Sequence, residues 1–274
     1  MAAPSGVLHK AASPLEAAWD QLRFYGAALR ALPAAFRYGG VIMRLAADVS
    51  VGPGALVLGG GTFLVVGSLA FFTGTVVGLE GFIALEQIGA QSFVGLVSSF
   101  ANTREITPLI AGVGLAAQIG AGYTAELGAM RIADEIDALE AMGVPSVTYL
   151  VATRVWAALI PVVPLYLLAL LASYQASQLV VTRYLGLAPG VYRQYFQLFL
   201  PPVDVAYSLS KAVVFTVVVV LVHCYYGFTA SGGPAGVGVA VGRAIRLSLV
   251  VVVLANLLLS VVFWLNNQTV RIAG

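Results

Sequence analysis

From Val49 to Leu79 the chain runs for thirty-one residues without a charge. That constrains the fold more than any other feature. Twenty helical residues at about 1.5 Å each cover the roughly 30 Å hydrocarbon core of a bilayer. In lipid the backbone must satisfy its own hydrogen bonds, which a helix does within one segment. Ala55 to about Leu79 is therefore expected to form a first span. Similar runs predict four more: Ile106–Ala125, Val155 to about Val181 with Pro161 and Pro164 bending it, Ala212–Phe228, and Leu247 to about Leu265. With 60% of 274 residues hydrophobic and 9% charged, the expected class is an all-α, polytopic membrane protein.

The connecting pieces follow from the same reasoning. Glu80–Thr103 is apolar but carries Glu80 and Glu86, so it is expected to continue the first helix and add a short outward helix, not an independent span. An acid at membrane depth costs about 2.5 to 3.5 kcal/mol, which places these two in a wet cavity or near an interface. Residues 182–207 are predicted as a loop whose Tyr184, Tyr192, Tyr195 and Phe196 suit an interfacial aromatic belt. Gly232–Gly242 is predicted as a glycine-rich turn.

Before the first span, residues 1–14 resemble a loose tail broken by Pro4 and Pro14. Residues 15–47 place Leu15, Trp19, Leu22, Leu29, Leu32 and Phe36 at helical spacing. Arg23, Arg30, Arg37 and Arg44 recur every seventh residue, an interval that drifts only about 20° around a helix. A basic stripe beside Trp, Leu and Phe predicts an interfacial helix with its cations among anionic headgroups. Pro33 and Gly39-Gly40 are expected to break it into pieces. The first fifty residues hold no sustained apolar core followed by a small-residue cleavage site, so no classical signal peptide is expected. Residues 48–274 make up the expected five-helix domain.

Five spans put the termini on opposite sides. With the N-terminus inside, nine of the fourteen lysines and arginines fall on the cytoplasmic side, and the positive-inside rule favours that arrangement with the C-terminus outside. Arg104, Arg183, Arg193, Lys211 and Arg271 form the outside set.

Within the second span Gly112, Ala116, Gly120 and Thr124 make a small-residue stripe suited to close helix packing. Directly after it, Met130–Gly143 is too short and polar to span. Ile132, Ile136, Leu139 and Gly143 share a face there, while Asp134, Glu135, Asp137 and Glu140 occupy much of the remainder, and Pro145 closes the piece. Such a helix can cap the bundle or dock a separate soluble subunit, and the pattern leaves both open.

Motifs of catalysis are missing. The only lysines, Lys10 and Lys211, follow His9 and Ser210, which excludes a P-loop. Gly236, Gly238 and Gly242 have the wrong spacing for a dinucleotide fingerprint. Two histidines, His9 and His223, and a single Cys224 offer no metal-ligand spacing and no intramolecular disulfide. A net charge of +2 gives no reason to expect nucleic acid. His223 is expected to be packed or hydrogen-bonded. Arg104 and Glu105, at the outer end of the second span, are either an interfacial stop signal or charge lining the mouth of a cavity.

These segments carry a resemblance. Arg104-Glu105-Ile106-Thr107-Pro108, Glu126-Leu127-Gly128-Ala129-Met130-Arg131, Glu135-Ile136-Asp137-Ala138-Leu139 and Met142-Gly143 are similar to the signature of the MlaE/YrbE permeases. Those permeases are membrane subunits of ABC transporters that work with MCE-domain lipid carriers. The likeness continues through Gly78-Leu79-Glu80-Gly81-Phe82, Tyr225-Tyr226-Gly227-Phe228, Gly232-Gly233 and Gly236-Val237-Gly238, and covers about residues 15–265. The run from His223 to Ala244 looks most like the B-type YrbE of actinobacterial Mce lipid importers. Glu80, Phe82 and Ala129 stand where the family often has Gln, Tyr and Thr.

The resemblance implies an N-terminal interfacial helix, five transmembrane helices and a cytoplasmic coupling helix, about residues 130–143, between the second and third. It implies that Glu126, Gly128, Met130, Arg131, Glu135, Asp137, Leu139 and Gly143 couple to an ATPase. Val77, Glu80, Ala84, Leu85, Ile88, Arg104 and Glu105 would line a lipid cavity between two permease halves. The implied partners are a paralogous YrbE-type permease in a heterodimer, an ABC ATPase dimer that holds ATP and Mg, MCE-domain proteins and a lipid substrate. The chain itself would be non-catalytic and without a cofactor, in the bacterial inner membrane, moving lipids or fatty acids across the envelope, most often inward. The alternative is a stand-alone secondary transporter or channel, for which internal repeat symmetry is expected and none is visible.

Overall fold

The computed structural model describes residues 14–50 and 61–265. Residues 1–13 of the expected tail, with His9 and Lys10, and likewise Arg271 and the first residues of the first predicted span, 55–60, lie outside them, while Pro14, expected as the end of the tail, opens the first helix. Every regular element among the described residues is helical. We number them α1 (Pro14–Ala35), α2 (Gly39–Ser50), α3 (Gly61–Glu86), α4 (Gln91–Ile132), α5 (Glu135–Ala141), α6 (Val147–Tyr184), α7 (Pro189–Leu198), α8 (Pro202–Phe228) and α9 (Gly233–Trp264). Five of these, α3, α4, α6, α8 and α9, are long and apolar enough to cross a membrane.

Helices α4, α6 and α8 form the centre of the bundle, with about half of their most apolar windows buried. α3 packs along α6 on one side, and α9 packs along α8 and α4 on the other. Only 28% of the α3 window and 17% of the α9 window are buried. The remainder, including Leu64, Phe72 and Val76 on α3 and Leu254, Leu257, Leu258 and Val262 on α9, faces outward. In lipid, shape complementarity and interhelical hydrogen bonds hold such a bundle together. The α3–α6 crossing shows both. A Cβ on Gly74 would sit 2.4 Å from the Ser173 carbonyl, so the two backbones nearly touch there. Ser177 donates to the Gly74 carbonyl at 2.6 Å, and Asn102 donates to Ser177 at 2.8 Å, which joins α3, α6 and α4 through one buried chain of polar groups.

The five-span count stands, and several boundaries move. The short outward helix expected after Glu86 is instead the first part of α4. Residues 91–132 form one helical body of 42 residues with π-helical turns at Ala101–Ile106 and Ala116–Gly120. The fourth span begins at Pro202, ten residues before the uncharged run, because Asp204 and Lys211 are buried and paired within the protein. The loop predicted over 182–207 contains the ten-residue amphipathic helix α7, seated on the start of α4, where a Cβ on Gly95 would lie 2.4 Å from the Tyr192 carbonyl. The glycine-rich segment is likewise not a turn. Gly236, Gly238 and Gly242 are helical residues of α9, and the reversal is confined to Thr229–Gly232, with Gly232 and Gly233 at φ 89° and 69°.

The N-terminal region is two helices, broken by a single 3₁₀ turn at Phe36–Tyr38. Pro33 lies inside α1, and Gly39-Gly40 open α2 in helical geometry, so the break falls between the two sites expected to cause it. Trp156 near the start of α6 donates to the Leu32 carbonyl at 3.0 Å, and the Phe36 ring packs tilted against that of Trp156 with centroids 4.6 Å apart, which ties this segment to the bundle.

Candidate functional site

A buried polar cluster joins α4, α8 and α9 toward the end of the bundle where α8 begins. Its origin is local. The sequence Arg104-Glu105-Ile106-Thr107-Pro108 puts a proline four residues after Arg104, and proline has no N–H to return to the Arg104 carbonyl. The Lys211 ammonium on α8 donates to that carbonyl at 2.6 Å. Lys211, 0% exposed, also donates to Ser260 Oγ at 2.6 Å and Asn256 Oδ1 at 3.1 Å on α9, and lies 3.5 Å from Glu105 Oε1. Glu105 is in turn held by Asn256 Nδ2 at 2.7 Å and Ser260 Oγ at 2.5 Å. Its neighbour Arg104 points away by the helical step of about 100°. It pairs with the buried Asp204 at 2.7 Å, lies 3.8 Å above the Phe100 ring, and shares Asp204 with Trp264, whose indole donates to Oδ1 at 2.9 Å. Removing charges from water is costly unless each is paired and hydrogen-bonded, and here the pairing runs through three helices.

Arg104 and Glu105 therefore lie well inside α4, thirteen residues past its start, and not at the outer end of the span as expected. Among the described residues, Asp204, Lys211, Asn256, Ser260 and Trp264 complete the cluster, and none was anticipated. Two signals pointed to them: acid and base seven residues apart on α8, and the missing donor at Pro108.

The other expected cavity residues are dispersed. Val77 and Leu85 are half-buried, Leu85 against the Phe82 and Val94 cluster, and Glu80, Ala84 and Ile88 are exposed on the outward side of α3 and its following turn. All four arginines of the stripe are exposed, Arg23 and Arg30 on α1, Arg37 in the 3₁₀ turn and Arg44 on α2, and Trp19 is 62% exposed beside them.

The small-residue stripe of α4 packs inside this chain. A Cβ on Gly112 would meet Val252 and one on Gly120 would meet the His223 ring. Thr124 Oγ1 lies 2.8 Å from His223 Nδ1, and His223 Nε2 lies 3.2 Å from Ser248 Oγ. His223 thus knots α4, α8 and α9 by hydrogen bonds.

At the opposite end, the segment expected as one short helix over 130–143 is divided. Met130, Arg131 and Ile132 complete α4, Asp134 turns the chain at φ 56°, and α5 covers only Glu135–Ala141. The division follows from Asp134, one of the few residue types that tolerates left-handed backbone. Ile136 is fully buried and Leu139 packs against the central core, while Glu135, Asp137, Glu140 and Met142 face outward. Arg131 pairs with Asp137 at 2.6 Å, and Ser146 donates to Glu140. Glu126, half-exposed, pairs with the buried Arg154 at 2.9 Å and ties the end of α4 to α6. Gly128 lies buried against Val237, and Gly143 turns the chain after α5 at φ 77°.

Residues 54–262 match the family model described as Permease MlaE. Curated relatives include a probable ABC transporter permease protein of Rickettsia bellii, 32% identical over 200 residues, covering 73% of this chain and 77% of the relative. A probable ABC transporter permease protein of Synechocystis is 31% identical over 66% of this chain and 67% of its own length. The Arabidopsis thaliana chloroplastic protein TRIGALACTOSYLDIACYLGLYCEROL 1 is 28% identical over 65% of this chain and 51% of its own length.

Proposed function

The chain belongs to the MlaE permease family, and on that premise we propose that it is the non-catalytic membrane subunit of a lipid ABC transporter of the MCE type, most like a B-type YrbE. It works as one half of a permease pair, driven by a separate ATPase that holds ATP and Mg, and passes lipids or fatty acids between the membrane and MCE-domain proteins, inward. The observation that carries this reading is the five-span bundle with one short acidic helix, α5, set between the second and third spans with its charged face outward.

The coupling surface is Glu135, Asp137 and Met142, while Ile136 and Leu139 fix α5 to the bundle. Movement of α5 is transmitted through Leu139 to the core and through Glu126–Arg154 to α4 and α6. α5 and the arginines of α1 and α2 lie on the cytoplasmic side. Among the described residues, eight of twelve lysines and arginines belong to that end, as the positive-inside rule requires. Arg104 and Glu105, with Val77, Glu80, Ala84, Leu85 and Ile88, face the lipid path formed with the second permease half.

The test is extraction of the tagged full chain in mild detergent, identification of the proteins that accompany it, and assay of ATP hydrolysis. An ATPase, a second permease and MCE-domain proteins in one active complex are the expected result; a lone chain without ATPase overturns the reading. Within the complex, Glu135→Lys is expected to lower lipid-stimulated ATP hydrolysis at least about tenfold, since reversing one charge in a docked pair costs more than about 1.4 kcal/mol. Insertion of the chain should be unchanged.

A further inference from the structure

The structure assigns a second lipid-binding site, on the outer wall of the bundle between α1 and the α8–α9 pair, that holds one glycerophospholipid with its phosphate at Arg243. The site is two connected clefts. One, of about 380 Å³, is apolar and is walled by Val218, Leu221 and Val222 of α8 with Leu247 and Val251 of α9. The other, of about 560 Å³, carries Tyr225, Tyr226, Thr229, Ser231 and Arg243. Ala18 and Gln21 of α1 line both and join them.

The order of polarity along the helices identifies the occupant. On α8 the lining runs from Val218 to Tyr226, and on α9 from Val251 to Gly236, about 12 and 22 Å at 1.5 Å per residue. Hydrocarbon lies toward the membrane centre, and the hydroxyls of Tyr225, Tyr226, Thr229 and Ser231 follow toward the turn between α8 and α9, with the Arg243 guanidinium among them. An apolar stretch that leads into hydroxyls and a cation fits a phospholipid, acyl chain first and polar head second. Arg243 is exposed and makes no hydrogen bond or ion pair with the described residues, and Arg246 stands one turn further along α9. A guanidinium binds phosphate through paired charge-assisted hydrogen bonds. α1, with Leu15, Trp19 and Leu22 exposed beside the clefts, has the composition of a helix lying in the headgroup region, which brings the mouth to lipid level. The expected cavity residues Val77, Ala84, Arg104 and Glu105 line neither cleft, and the assignment is independent of the transport reading.

The test is native mass spectrometry of the full chain extracted from membranes in mild detergent, counting phospholipids retained per chain. Ala18→Trp fills the junction of the clefts from the exposed side of α1, and Arg243→Gln removes the charge. The wild type is expected to retain one phospholipid more than Ala18→Trp. Occupancy in Arg243→Gln should fall about tenfold or more, the loss of one charge-assisted contact. Val251→Trp, which fills the apolar cleft from α9, gives the same comparison should the α1 variant fail to insert. Equal retention in wild type and filled variants overturns the site. Loss in the filled variants with full retention in Arg243→Gln overturns the placement of the phosphate at Arg243.

Discussion

Lys211 shows how much one side chain contributes when it sits at a junction. It completes the helical ladder at the Arg104 carbonyl and supports two side chains of α9, so its loss leaves several buried polar atoms without partners at once. Lys211→Met is expected to cost about 3 kcal/mol, the low end for breaking a buried charge pair, since the Glu105 side chain is 44% exposed. Thermal unfolding in detergent measures this, and adding Glu105→Gln should recover part of the loss. The sequence announced Arg104 and Glu105 through their position beside a long apolar run. It concealed Lys211 and Asp204, since a charge that ends a hydropathy window looks the same whether it meets water or a partner. Only the distance between α4 and α8, which no local pattern encodes, separates the two cases.

Elements were legible where periodicity and length agreed. Among the described residues, the uncharged cores of the five spans lie within the helices that form, and α5 was visible from its apolar face. Their ends were not legible, because paired charges, and glycines that take up helical geometry, carry helix past the residues that hydropathy treats as boundaries. α9 starts fourteen residues before its expected first residue, and α4 fifteen before its own. The α3–α6 crossing depends on the absence of a side chain at Gly74. Gly74→Leu is expected to force the helices apart and destabilise the bundle by about 3 kcal/mol or more, at the upper end of overpacking costs. Ser177 would lose its 2.6 Å bond to the Gly74 carbonyl with it. Reduced protease resistance of the inserted protein, with α8–α9 contacts retained, is the expected readout.

At the scale of the whole molecule, orientation can be measured directly, because Cys224 is the chain's single cysteine and is fully buried. In a Cys224→Ala background, Tyr184→Cys, at a position 83% exposed, should react with a membrane-impermeant thiol reagent in intact cells. Glu135→Cys should react only after permeabilisation. The reverse pattern would invert the proposed topology. The cluster at Lys211 also bears on how such a chain is built. Lys211 alone in lipid would oppose insertion of α8 by about 3 kcal/mol. Two of its partners, the Arg104 carbonyl and Glu105, are synthesised about a hundred residues earlier, and the other two, Asn256 and Ser260, about fifty residues later. α8 can therefore leave the insertion machinery cheaply only alongside an α4 already waiting in the membrane, and it is secured only when α9 arrives, which makes the order of synthesis part of the assembly pathway.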